Sequence, residues 1–230
     1  MLRPEFIGKM IDKIYAYGDS FTAGDGIASK DAWPAKLSEL MKTPVVNRGV
    51  PGGSNKLSII NLLNDFTDIE HPEKALVVFS WTGISRTAVY HDEKKEWENI
   101  LLGHDPWDPR LKKLKDVWYE YLYNDYEGLM EYYMQQIFVA SFLEARNIQY
   151  AFINSFLEGH IDKAPFENQY KNMVKLLPTK KFVLGYNTSI YEVYCIDKGM
   201  RCSDGYHPNE EAHAQLAKKI KLFLRDIRLI

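Results

Sequence analysis

The chain has 230 residues, which suits one sizeable domain with a well-buried core, so we expect a single domain over residues 1–230. Its net charge of −2 gives no electrostatic basis for binding nucleic acid or an anionic membrane, and no apolar run approaches the roughly 20 residues of a membrane span. Residues 1–13 carry charges among their apolar positions and lack a signal-peptide core, which favours the cytoplasm as the compartment.

The first predicted strand, at residues 13–17, runs directly into the tripeptide Gly18-Asp19-Ser20. Gly18 allows a sharp exit from the strand, and the short polar side chains after it can bond nearby backbone groups. A serine at the C-terminal end of an early strand lies where open α/β sheets place their chemistry. Taken alone, the tripeptide favours an ordinary turn. With a partner elsewhere, it predicts that the loop over residues 20–30 lines a site.

The next stretch alternates predicted helices and strands. Asp31 can cap a helix that reaches about residue 42, and a short strand follows at residues 45–47. The loop at residues 49–53 is rich in Gly and Pro, and Ser54 can cap the helix after it. Backbone N–H groups at such a helix start can bind an anion, although a plain tight turn has the same composition.

A nearly continuous apolar run at residues 75–80 predicts a parallel strand that is covered on both faces. The segment after it, residues 87–126, is charged and rich in aromatic residues, which include Trp97, Trp107, Trp118, Tyr119, Tyr121, Tyr123 and Tyr126. Its position predicts an insertion or cap over the site, where aromatic rings could stack on sugars or clamp an acyl chain. The alternative is that these rings only pack the insertion onto the domain.

The remaining pattern predicts a long helix at residues 127–146, a strand at 149–154 and a last short strand at 181–184. Cys195 and Cys202 are expected to be reduced, and neither lies on a convincing nucleophile turn, which disfavours Cys-His catalysis. The scattered histidines, among them His160 and His213, make no metal-ligand spacing with cysteine or carboxylate. With no phosphate-loop or dinucleotide fingerprint either, the sequence predicts no metal and no cofactor.

A second motif lies near the C-terminus, at residues 203–209, directly before a helical pattern. Asp204 precedes His207 by three residues, close enough to bond one ring nitrogen. A histidine held in this way is what a serine nucleophile needs, because the ring takes the hydroxyl proton and the carboxylate fixes the tautomer. The alternative is a helix N-terminus at which the acidic and amide side chains act as caps. Together with Ser20 at the other end, the motif predicts a catalytic triad.

These motifs resemble the sequence blocks of the SGNH, or GDSL, hydrolases, a family of esterases, lipases and acyl-carbohydrate hydrolases. Gly18-Asp19-Ser20 matches the first block, and Asp204 with His207 matches the last. Residues 45–52 look like the second block, whose final glycine supplies an oxyanion N–H and falls on Gly52. The resemblance implies an α/β fold, a three-layer α/β/α sandwich around a mostly parallel, five-stranded sheet with flavodoxin-like order.

The third block departs from the family pattern. A member of the family usually has Gly-x-Asn-Asp after the third strand, whereas this chain has the sequence Trp81-Thr82-Gly83-Ile84-Ser85-Arg86, with no Asn. The resemblance therefore leaves the third oxyanion donor open. By sequence position the Thr82 hydroxyl is the best placed substitute, with Ser85 and Arg86 as further candidates, and the alternative is a packed strand end without a catalytic role.

The sequence thus predicts a serine esterase that works through an acyl-enzyme. Ser20 is the nucleophile, His207 the base and Asp204 its orienting group, while Ser20, Gly52 and Thr82 form the oxyanion hole. The predicted substrate is a small-molecule or carbohydrate ester, with O-acetylated carbohydrate as one class. Two alternatives stay open: acyl transfer by the same triad, and a non-catalytic carbohydrate-binding or structural protein on the same fold.

Overall fold

A computed structural model of the chain describes residues 11–106, 108–157, 162–227 and 229. Trp107 and His160, and most of the N-terminal lead-in, lie outside the described residues. The central sheet has four parallel strands in the order β2-β1-β3-β6. The strands of the described chain are β1 (Lys13–Gly18), β2 (Val45–Gly49), β3 (Ala75–Trp81), β4 (Thr87–His91), β5 (Glu96–Ile100) and β6 (Gln149–Asn154).

Two pairs of helices cover this sheet. The helices are α1 (Ser20–Ala23), α2 (Trp33–Met41), α3 (Asn55–Phe66), α4 (Pro109–Val117), α5 (Asp125–Ala145), α6 (Ala164–Gln169), α7 (Lys171–Val174) and α8 (Glu210–Asp226). Successive residues of a strand point to opposite faces, so Ile14 and Ala16 pack against α2 and α8. Tyr15 and Tyr17 pack with residues of α3 and α5 on the other face. The predicted three-layer α/β/α architecture is confirmed.

The predicted strand count of five is wrong, because residues 181–184 form no strand. A 3-10 turn, Thr179–Lys181, leads into isolated parallel bridges that pair Phe182 with Phe152 and Ser189 with Asn154. Between the bridges the chain turns at Gly185, whose φ is 96°. This turn ends the pairing before a ladder can form. The four strands present otherwise keep the predicted flavodoxin-like order.

The two predicted helix caps have different outcomes. The Ser54 side chain accepts a hydrogen bond from Leu57 N at 3.3 Å and caps α3, as predicted. Asp31 does not cap α2 and instead pairs with Lys36 at 2.8 Å. The first N–H of α2, that of Trp33, donates at 3.1 Å to Nδ1 of His213 on α8. A cap for α2 therefore comes from a distant helix.

The aromatic-rich segment begins with an antiparallel hairpin of β4 and β5 that the sequence did not predict. It continues through α4 and a π-helical turn, Trp118–Leu122. Asn99 of β5 joins the hairpin to α3, because its Oδ1 accepts a hydrogen bond at 3.0 Å from the backbone N–H of Ser54, the N-cap of that helix. The hairpin is thus anchored at the start of α3.

The carboxyl ends of the four parallel strands lie along one edge of the sheet. Gly18 pairs with Gly49, and Trp81 pairs with Asn154. The loops that leave these strands therefore meet at this edge. Within the described part of the chain, none of the helices has the length and apolar character needed to cross a membrane.

Candidate functional site

Ser20 is the first residue of α1, immediately after β1. The chain turns this sharply because Gly18 adopts a φ of 153°, and a Cβ there would lie 2.8 Å from the Ser80 Cβ. Asp19 is the N-cap of α1, and its Oδ1 accepts a hydrogen bond from Phe21 N at 3.1 Å. The result is a serine that is only 6% exposed at the edge of the sheet where the loops meet.

Asp204 holds His207 through side-chain and backbone bonds. Nδ1 of His207 lies 2.6 Å from Asp204 Oδ2, while Asp204 Oδ1 accepts hydrogen bonds from the backbone N–H of Tyr206 at 2.8 Å and of His207 at 3.0 Å. These backbone bonds, together with the histidine contact, lower the pKa of Asp204 to about 2. The carboxylate is therefore charged at neutral pH. Since Nδ1 faces it, Nε2 is the nitrogen left for a substrate or nucleophile.

The His207 ring lies next to the turn that carries Ser20. It packs against Phe21, the residue after the serine, with ring centroids 5.6 Å apart and an interplanar angle of 65°. Ser20 and His207 line the same cavity. No hydrogen bond joins their side chains, both of which belong to the described residues. Catalytic hydrogen bonds are often long in ligand-free enzymes and tighten when substrate binds.

Gly52 lines this cavity in a turn with a φ of 65°. The neighbouring N–H groups are used by the turn itself: Val50 N donates to Gly18 O at 3.0 Å, and Gly53 N donates to Val50 O at 2.8 Å. Within the residues that the structure describes, the N–H groups of Ser20 and Gly52 have no such partner. Both residues line the cavity.

Thr82 is placed differently from the other predicted site residues. Its hydroxyl donates to Asp19 Oδ2 at 2.7 Å, and its backbone exchanges hydrogen bonds of 2.8 and 3.1 Å with the Asn55 side chain. Thr82 is 3% exposed and is not among the residues that line the Ser20 cavity. The structure brings Ser20, Gly52 and His207 to that cavity, with Asp204 behind His207, but not Thr82. Arg86 lines the cavity instead.

The cavity has a volume of about 640 Å³, and most of the residues that line it carry polar or charged side chains. Beyond Ser20, Gly52, Arg86 and His207, its lining includes Asp25, Glu98, Asn99, Leu101, His104 and Tyr206. Four of these, Glu98, Asn99, Leu101 and His104, come from the aromatic-rich segment, yet none of the aromatic residues described in that segment lines the cavity. The sequence signal for Asp25 is its place in the loop at residues 20–30, and the signal for Tyr206 is its place beside His207.

Asp25 is a second carboxylate in this cavity. Burial raises its pKa, the negative charges of Asp19 and Asp204 add to that effect, and His207 opposes it. The proposed nucleophile and base thus share their cavity with an acidic side chain that the sequence motifs do not mark.

The cysteines do not have the properties of nucleophiles. Both are free, and burial raises the pKa of Cys195 to about 11 and also raises the pKa of Cys202. A thiol with a raised pKa holds its proton at neutral pH, and the thiolate is the nucleophilic form. Among the residues described, no three His, Cys, Asp or Glu side chains are grouped to hold a metal ion.

Comparison with known proteins gives the chain a family. Residues 24–175 match the model of a family that is described as a family of unknown function, DUF6071. The chain belongs to this family. The matched stretch contains Gly52, Thr82 and Arg86, but it begins after Ser20 and ends before Asp204. A search of curated proteins finds no match.

Solved structures give it a fold. The chain is similar to TesA, with a TM-score of 0.55, 15% identity, and coverage of 94% of this chain and 99% of that one. It is similar to the psychrotrophic esterase EstA from Pseudoalteromonas sp., with a TM-score of 0.53, 10% identity, and 94% and 98% coverage. It is also similar to Axe2, an acetyl-xylooligosaccharide esterase from Geobacillus, with a TM-score of 0.50, 18% identity, and 96% coverage of both chains. At these identities the likeness is one of fold, and the fold is one on which esterases are built.

Proposed function

We propose that the protein is a serine esterase in which Ser20 is the nucleophile, His207 the general base and Asp204 its orienting group. One observation carries the proposal: His207 is held by Asp204 at 2.6 Å and lines the same cavity as Ser20 and Gly52. A nucleophile, an oriented base and free backbone N–H groups in one cavity are the parts that acyl transfer needs. The esterase fold of the structural neighbours supports the same conclusion.

In the acylation step, Ser20 Oγ adds to the ester carbonyl carbon while its proton moves to Nε2 of His207. The carbonyl π electrons move to oxygen, and the N–H groups of Ser20 and Gly52 stabilise the resulting oxyanion. Collapse of this intermediate breaks the bond to the alkoxy oxygen, which takes the proton from His207 and leaves as the alcohol. Asp204 stabilises the imidazolium that exists between the two proton transfers.

In the deacylation step, water repeats this sequence on the acyl-enzyme. His207 takes a proton from water as the water oxygen adds to the acyl carbon, and it returns a proton to Ser20 Oγ when the acid leaves. Ester and water are consumed, and acid and alcohol are formed. A sugar hydroxyl in place of water would give acyl transfer with the same proton movements.

We infer a short acyl group on a polar alcohol as the substrate class. A cavity of about 640 Å³ is larger than an acetyl group needs, and it is lined by carboxylate, amide, guanidinium and imidazole groups with few aliphatic side chains. Such walls suit a hydroxyl-rich alcohol such as an O-acetylated carbohydrate better than a long acyl chain. We also propose that residues 87–126 act as a cap on a single domain, since Glu98 and Asn99 stand in the cavity wall.

A fluorophosphonate probe tests the proposed nucleophile. The probe should add one covalent adduct at Ser20, located by peptide mass spectrometry, and Ser20→Ala should lose both the adduct and nearly all hydrolysis of a responsive p-nitrophenyl ester. Ser29→Ala, a change at an exposed serine in the same loop, is the matched control and should keep both.

The alternatives give different results in the same experiment. Absence of an adduct and of ester turnover in the folded parent protein would refute the esterase and favour a binding or structural protein. Product analysis with an added acceptor alcohol distinguishes the other pair, because a transferase forms a new ester where a hydrolase releases free acid.

A further inference from the structure

Arg86 lies in the same short segment, residues 81–86, in which the resemblance leads one to expect an amide donor. It follows β3 by a short loop, and its side chain lines the cavity that contains Ser20, Gly52 and His207. The side chain is only 15% exposed. A guanidinium cannot lose its proton, so a mostly buried one requires an acceptor or an anion nearby.

The contacts of Arg86 place its guanidinium next to both segments that carry the backbone donors of the proposed oxyanion hole. Its Nη1 lies 3.4 Å from Asp19 Oδ2 and 3.4 Å from the Gly53 carbonyl oxygen. Asp19 directly precedes Ser20, and Gly53 directly follows Gly52. Its Cζ also lies 5.2 Å from the centre of the Phe156 ring. The guanidinium is therefore held beside both arms of the hole.

Of the four hydrogen bonds that the Asp19 carboxylate accepts, the one from Arg86 is the longest. Asp19 accepts hydrogen bonds from Thr82 Oγ1 at 2.7 Å, Ser155 Oγ at 2.9 Å and Phe21 N at 3.1 Å, against 3.4 Å for Arg86. Charge-assisted bonds in a committed pair are normally about 2.7–2.9 Å long. The guanidinium is thus positioned by Asp19 but retains donors that a second anion in the cavity can accept.

Resting on the esterase function proposed above, we propose that Arg86 is the third donor of the oxyanion hole. The anion it binds is the oxygen that becomes negative when Ser20 adds to the carbonyl carbon. A charged donor interacts more strongly with that oxygen than with the neutral carbonyl of the bound ester, so its contribution is to the transition state. Thr82, whose hydroxyl is bonded to Asp19, then has the different task of holding the carboxylate that positions Arg86.

Arg86 could instead serve only to balance the charge of Asp19, and the experiment has to distinguish this structural role from oxyanion binding. Asp19 is fully buried, and Arg86 is the cation beside it. Removing that cation alone leaves an uncompensated buried charge and can prevent folding. The Asp19→Asn variant removes the need for compensation while an amide oxygen still accepts hydrogen bonds. The informative comparison is therefore Asp19→Asn against the double variant Asp19→Asn/Arg86→Gln.

Three variants are compared: Asp19→Asn, the double variant and Arg86→Gln alone. For each, kcat and KM are measured with one p-nitrophenyl ester, together with the rate at which a fluorophosphonate inactivates Ser20. The double variant should lose about 10²- to 10³-fold in kcat relative to Asp19→Asn, with KM changed little, and its inactivation should slow by a similar factor. Ser155→Ala, which removes one bond to Asp19 outside the cavity, is the control and should lower the thermal midpoint with a much smaller effect on kcat.

Equal kcat and equal inactivation rates for Asp19→Asn and the double variant would overturn the proposal and leave Arg86 as the charge partner of Asp19. A loss confined to KM would also overturn it, because uniform binding of substrate and transition state is not oxyanion stabilisation. A parent protein that neither reacts at Ser20 nor hydrolyses esters would instead refute the esterase function itself, and Arg86 as an oxyanion donor with it.

Discussion

His213 makes the stability of the protein depend on pH in a way that can be measured. The ring lies on α8, is 1% exposed, and accepts a hydrogen bond through Nδ1 from Trp33 N at 3.1 Å. Its Nε2 is buried without a partner in the structure as described. Burial, with a smaller contribution from nearby His207, lowers the pKa of His213 to about 4. Protonation would destroy the acceptor and place a positive charge at the N-terminus of α2, where the helix dipole disfavours it.

The direction of this pH dependence is set by which state of the protein, folded or unfolded, binds the proton of His213 at the higher pH. The unfolded histidine binds a proton near its ordinary pKa of 6.5, whereas the folded one resists until about 4. Between these values the unfolded chain binds more protons, so the free energy of unfolding falls as pH drops through this window. Each unit of difference corresponds to about 1.4 kcal/mol, and the loss between about pH 7 and pH 5 is about 2 kcal/mol.

Urea unfolding at several pH values, followed by tryptophan fluorescence, measures this loss. His213→Asn keeps an acceptor for Trp33 N but cannot be protonated, so its stability should fall by about 2 kcal/mol less than that of the parent between about pH 7 and pH 5. Carboxylates titrate in both proteins and cancel in the difference. His71→Asn, at a histidine whose side chain is 65% exposed, is the matched control and should follow the parent. Parallel curves for the parent and His213→Asn would refute the reasoning.

Three further predictions concern the candidate site. Asp204→Asn should keep the fold and lose about 10⁴-fold in kcat through a wrong histidine tautomer, and a kcat within tenfold of the parent would exclude Asp204 from the mechanism. Asn99→Ala removes the acceptor for Ser54 N and should raise KM more than it lowers kcat. Asn64→Ala, at an exposed position of α3, is the control and should change neither constant. An unaltered KM in Asn99→Ala would show that the bond between Asn99 and Ser54 does not shape the cavity. Cys195→Ala and Cys202→Ala should retain esterase activity because both thiols stay protonated, and abolition of activity by either change would reopen a thiol mechanism.

The fold was predictable where sequence patterns are local. The nearly continuous apolar run of β3 and the short apolar run of β1 each reflect the burial of a parallel strand on both faces, and β3 is buried at all seven positions. The β4–β5 hairpin was not predictable, because each of its strands has only five residues and two of those in β5, Glu96 and Glu98, are charged. Its stability depends instead on contacts such as that of Asn99 with Ser54, which are distant in sequence. The missing fifth strand has a different cause, since the turn at Gly185 directly follows a short apolar run that reads as a strand and ends its pairing with β6.

The residues of the proposed triad could be proposed from sequence because the placement of each depends on its own short segment. Ser20 is placed by the glycine turn before it, and Asp204 reaches His207 across three residues. The proposed third oxyanion donor is different, because the choice between Thr82 and Arg86 depends on the position of the buried Asp19 carboxylate, which follows another strand. Asp19 lies within 2.7 Å of the Thr82 hydroxyl, while Asn55 fixes the Thr82 backbone on both sides, so the threonine is fully occupied. The longer Arg86 side chain reaches the same carboxylate at 3.4 Å and still lines the cavity. Sequence position favours Thr82 as the third oxyanion donor, whereas the hydrogen bonds of Asp19 favour Arg86.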